Sequence, residues 1–85
     1  MIIENQRRDT VWTAQFGRNI LARILWTPTL QSEGIPPGER KEVPLSNVMT
    51  DEEEDEIVVF WWEAVVEEGQ RKPGETRSFA VVLHD

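Results

Sequence analysis

Ile57-Val58-Val59-Phe60-Trp61-Trp62-Glu63-Ala64-Val65-Val66 is the stretch that decides the fold. It is rich in β-branched and aromatic residues, which suit a pleated, packed surface better than a helix. In an extended chain successive side chains point to opposite faces. Val58, Phe60, Trp62, Ala64 and Val66 then line one face, and Ile57, Val59, Trp61 and Val65 the other. Both faces are apolar, the signature of a central strand or of one with an adhesive outer face.

Alternation extends outward from this strand. Trp12, Ala14 and Phe16 oppose Val11, Thr13 and Gln15, and Gly17-Arg18-Asn19 offers a turn. Near the C-terminus Phe79, Val81 and Leu83 alternate with Ser78, Ala80 and Val82. Between Arg40 and Val48, Val43 and Leu45 are the inward residues, and Pro44 marks an edge strand because it cannot donate to a ladder. Residues 19–27 are ambiguous. Asn19 as a cap, the stripe of Ile20, Leu21, Ile24 and Leu25, and Pro28 as a stop describe a short helix.

An internal echo favours a strand there instead. At an offset of 36 residues Trp26 falls on Trp62, and Pro37-Gly38-Glu39 falls on Pro73-Gly74-Glu75. Each half, about 20–48 and 56–83, then reads as apolar run, polar loop, Pro-Gly turn and apolar run. Pro presets φ for the second turn position, and Gly tolerates the positive φ of the third. The expectation is one all-β domain over residues 1–85, an antiparallel β-sandwich or small β-barrel of five to six strands.

The strand, polar loop, Pro-Gly-Glu and alternating-strand order resembles many immunoglobulin-like sandwiches. The resemblance implies a two-sheet fold and no activity. The paired Cys and corner Tyr of antibody-type domains are missing, since the chain has neither residue.

Charge is concentrated. The formal net charge is −7, yet Asp51-Glu52-Glu53-Glu54-Asp55-Glu56 carries −6 of it. Such a run cannot be buried unpaired, so residues 50–56 read as a solvated acidic connector between the halves. Thr50 and Glu53 have capping-box spacing, which allows one short helical turn there. Replacing Glu52, Glu53 and Glu54 with Gln is expected to leave stability unchanged or raise it, by at most about 1 kcal/mol.

The 85 residues contain no Cys, which excludes a disulfide framework and Cys-ligated zinc and suits a cytoplasmic protein. No apolar run reaches the roughly 18 residues of a spanning helix, and MIIENQRRDT lacks a signal-peptide core. The single His, His84, reads as a frayed tail residue. Ser32, Ser46 and Ser78 have no nucleophile context, the glycines form no phosphate loop, and six acids without Gly do not make a calcium loop. No enzyme, cofactor, metal, membrane, small-molecule substrate or direct nucleic-acid contact is expected.

A non-enzymatic protein-binding domain is the leading functional expectation: an adaptor, an inhibitor or a homo-oligomer subunit. Its surface would be Trp61 or Trp62, whichever faces outward, with Ile57, Val59 and Val65 beside Trp61. Trp is enriched at binding hot spots. The alternative is an acidic decoy resembling DNA-mimic inhibitors of nucleic-acid-binding proteins. It requires Glu63, Glu67, Glu68 and Glu75 to share a face with the acidic run.

Overall fold

The twelve-residue strand β4 (Glu56–Glu67) organises the molecule, as its two-sided apolar pattern requires. The computed structural model describes residues 1–83, so His84 lies outside the described residues. The other strands are β1 (Ile2–Glu4), β2 (Val11–Gly17), β3 (Arg40–Glu42), β5 (Gln70–Pro73) and β6 (Arg77–Val82). They form two antiparallel sheets, one of β1 and β3, the other built on β4. β2 runs along one side of β4, with Val11 opposite Glu63 and Gly17 opposite Ile57. Along the other side lie β5, with Ala64 opposite Pro73, and β6, with Trp61 opposite Arg77. Among the described residues the fold is all-β and no sheet closes into a barrel.

Each face of β4 is covered differently. Ile57 and Val59 are 1% and 0% exposed, packed with Val11, Ile35 and Val48 and with Ile3 and Val43 from the small sheet. The small sheet is held at its end by the chain terminus, whose ammonium donates to the Val43 carbonyl while the Val43 N–H donates to Met1 O. The opposite face is closed by a loop rather than a sheet. Trp26 places its ring 4.8 Å from Phe60, 5.4 Å from Phe16 and 5.9 Å from Trp62, all tilted. Such offset, tilted aromatic pairs contribute beyond their buried area. The indole N–H of Trp62 donates to Thr29 O, and that of Trp12 to Ser32 O. Two indoles thus fasten residues 26–34 over the sheet.

Three expectations are corrected here. Residues 20–27 are not a strand: α1 (Arg18–Leu21) and irregular chain occupy them, so the first half does not repeat the second. The residues of the echo also differ in role. Pro37-Gly38 forms the centre of a turn closed by Glu39 N–H to Pro36 O, with Gly38 at φ +77. Pro73-Gly74-Glu75 is no turn; β5 and β6 both pair with β4 in the same direction, and the segment between them carries one extra residue, a β-bulge. The reversal falls at Glu68-Gly69, both with positive φ (53 and 78), as a two-residue hairpin turn demands. Lastly, the helical turn expected near 50–56 is displaced. A 3-10 turn sits at Leu45–Asn47, directly after Pro44, and residues 51–54 make a simple turn with Glu54 N–H to Asp51 O. β3 is accordingly shorter than expected, ending before Pro44.

Candidate functional site

β1 and β3 cover β4 only as far as Val59. In antiparallel pairing, residues alternate between those that exchange hydrogen bonds and those whose N–H and C=O point away. Met1–Val43 and Asn5–Glu39 bonds fix the alternation, so Ile2 and Glu4 aim their backbone groups away from β3. Beyond them a cleft of about 420 Å³ opens between β1 and the large sheet. Ile2, Thr13, Val59, Trp61 and Phe79 are among the residues that line it.

Trp61 is half-buried. Two guanidinium groups stand over its ring, Arg7 at 4.9 Å and Arg77 at 5.4 Å from the centroid. A cation above an aromatic face is attracted by the ring quadrupole, by about 0.5–1 kcal/mol at exposed sites. Arg7 also donates to Glu63 at 3.1 Å, which fixes its position at the cleft end. Phe79 is 47% exposed and Ile2 63%, so the apolar walls face solvent.

The buried Asn5 builds the wall that carries Ile2. It is 2% exposed and satisfies three backbone groups: its amide donates to Asp9 O and Ile35 O, and its carbonyl accepts from Arg7 N–H. Its own N–H and C=O pair with Glu39 and Gly38. One side chain therefore joins β1, the 6–10 loop and the Ile35 segment.

Of the residues singled out from sequence, Trp61 lines the cleft and Val65, 44% exposed, lies two positions further along the same face. Ile57 and Val59 are core residues, and Trp62 is 4% exposed within the aromatic cluster. The outward indole is Trp61. Missing from that reading were Phe79, Ile2, Arg7 and Arg77. Phe79 had a signal, since alternation puts it on a face of its own strand; Arg7 had none, because a loop brings it from far along the chain.

The acidic run divides in two. Asp51 accepts from Arg23 at 2.8 Å and from Asn19, Glu56 pairs with Arg18 at 3.4 Å, and Glu54 accepts the Asn19 backbone N–H at 3.0 Å. Glu54 thereby supplies the cap that α1 lacks in its own Gly17, and it lies where a Cβ on Gly17 would fall. Glu52, Glu53 and Asp55 are exposed. The acids are not gathered into one surface: Glu63 sits seven residues along β4 from Glu56, and Glu67 and Glu68 lie at the far hairpin. At about 3.3 Å per residue the gap from Glu56 to Glu63 is about 23 Å, far wider than phosphate spacing along a nucleic acid.

A prediction follows for the connector. Glu54→Ala should cost about 0.5–2 kcal/mol, the range of a lost helix cap, which corrects the expectation that replacing Glu52, Glu53 and Glu54 together leaves stability unchanged or higher. Glu52→Gln with Glu53→Gln should change stability by no more than about 0.5 kcal/mol. Urea melts decide it; a double Gln variant losing more than Glu54→Ala contradicts this division of the run.

No family model, curated protein or solved structure matches this chain. The site must speak through its own chemistry. Among the described residues no three His, Cys, Asp or Glu side chains are placed to hold a metal ion, and no helix is long and apolar enough to cross a membrane.

Proposed function

We propose that this chain is a small non-enzymatic protein-binding domain that receives an extended segment of a partner protein in the Trp61 cleft. The observation that carries the reading is the half-buried Trp61, flanked by Arg7 and Arg77 in an open apolar cleft. Trp and Arg are the residues that most often dominate interface energetics when a pocket desolvates them. Backbone groups of Ile2 and Glu4 offer an extended segment the hydrogen bonds of strand addition, while Trp61 and Phe79 receive its side chain. The polar side chains around the cleft, Glu4, Asn5, Gln6, Arg7 and Thr13, suit recognition and contain no nucleophile paired with a base. The cytoplasm is the compartment that a Cys-free composition suits.

The test is site-specific photocrosslinking. With a photoreactive phenylalanine analogue in place of Ile2, one protein should be captured in cells, and mass spectrometry should locate the crosslink in an extended segment. A synthetic peptide of that segment should bind at least tenfold more weakly to Trp61→Ala and to Ile2→Asp. Affinity that is indifferent to Trp61→Ala would sink the reading.

A further inference from the structure

Among the described residues the two outer edges of the larger sheet differ. β2 is bridged on its outer side at both ends, from Val11 to Ile35 and from Phe16 to Met49, which leaves only Thr13 and Gln15 between the bridges. On the opposite side, the β5 half of the edge carries Arg71, Lys72 and Pro73, residues that discourage pairing. The β6 half begins at Arg77, whose guanidinium lies over Trp61, and continues as Ser78, Phe79, Ala80, Val81 and Val82 without charge or Pro; among the described strands β6 contacts β4 alone. An uncharged, apolar edge of this kind is a template for another strand.

Alternation identifies the free groups. Leu83 N–H donates to Asp55 O, which makes residues 77, 79, 81 and 83 the partners of β4. Ser78, Ala80 and Val82 therefore aim N–H and C=O outward. This set is symmetric about Ala80. An antiparallel copy of β6 centred there would pair Ser78 with Val82, Ala80 with Ala80 and Val82 with Ser78, using every outward group of both strands. Phe79 would lie beside Val81 of the second copy, the sort of aromatic and β-branched neighbours that stabilise sheets.

Charge agrees with the same geometry. Glu56 lies opposite Val82, so the acidic run begins at one end of β6. Antiparallel pairing sends the two runs to opposite ends. Their nearest carboxylates then stand about 19 Å apart by strand spacing and rise, more than twice the screening length of about 8 Å at physiological salt. A two-fold contact is also the commonest form of self-association.

We infer that β6 is a self-association edge, joining two copies of this chain antiparallel about Ala80 into one continuous sheet. The inference goes beyond the cleft reading; Phe79 borders both surfaces, but the edge uses neither Trp61 nor the backbone of β1.

Ala80 is exposed, so a charge there leaves the monomer's core untouched. In sedimentation from micromolar to millimolar concentration, the wild-type mass should rise from one chain to two. Ala80→Lys alone and Ala80→Glu alone should each stay at one chain, because like charges then meet on the axis. Mixing the two should restore a two-chain species, at least tenfold tighter than either alone. Val82→Lys, also exposed, should weaken the pair in the same direction and guards against misfolding of one variant. Trp61→Ala should leave the pair intact, and Ala80→Lys should leave cleft binding intact, so the two readings fail separately. A wild type that stays at one chain throughout, or a dimer unchanged by Ala80→Lys, overturns the inference.

Discussion

Trp62→Ala should destabilise the protein by about 3–5 kcal/mol, whereas Trp61→Ala, one residue away, should cost about 1–2 kcal/mol. Trp62 is 4% exposed, lies 5.9 Å from Trp26 and donates to Thr29 O, so truncation opens a cavity and releases the covering loop together. Trp61 loses only part of its contacts because its ring borders open cleft. Domains of this kind have about 5–15 kcal/mol of net stability, so the first change removes a large share of it. Trp62→Phe keeps one aromatic ring in the cluster while losing the N–H bond and part of the indole bulk, so it should cost less than Trp62→Ala, about 2–3 kcal/mol. Urea melts followed by far-ultraviolet circular dichroism make the comparison independent of indole fluorescence. A larger loss for Trp61→Ala than for Trp62→Ala would contradict the assignment of inner and outer indoles.

Asn5→Ala should cost about 2–4 kcal/mol, because it orphans the Asp9 carbonyl and the Arg7 N–H and leaves the Ile35 carbonyl with the Val11 N–H alone. Asn5→Asp should be worse at neutral pH, since a carboxylate would face two carbonyl oxygens with no donor to offer. Protonation returns one donor, so the deficit of Asn5→Asp relative to wild type should shrink as pH falls from neutral toward 4. Thermal melts across that range check the sign. A deficit that is constant with pH, or an Asn5→Ala variant as stable as wild type, would show that this side chain does not bind the three segments together.

β4, β2 and β6 were legible because alternation over six or more residues is dictated by burial on the sheet they share. β1 was not: three residues carry no periodicity, and its pairing is with a segment far along the chain. Residues 20–27 misled through their apolar content and the echo around Trp26. What holds them is tertiary, namely Glu54 on the Asn19 N–H and Trp26 between Phe16 and Phe60. The site was legible to the same depth. Period-2 logic required Trp61 and Trp62 to part company, but only the placement of the small sheet decides that Val59 is sealed and Trp61 is open. Gly69 was visible as a turn residue, while the role of Gly74 depended on a strand continuing past it.

The extra residue between Pro73 and Arg77 acts as a parity switch. Before it, even-numbered Lys72 shares a face with Val65; after it, odd-numbered Phe79 shares a face with Val59. The bulge is what absorbs that residue. A regular ladder carrying the same sequence would set Ser78 against Val59 and turn Phe79 to the loop-covered side opposite Val58. Loss of one residue from 74–76 would instead remove the bulge and leave Phe79 opposite Val59. The recognition surface is therefore indifferent to a shortened segment and sensitive to a slipped one.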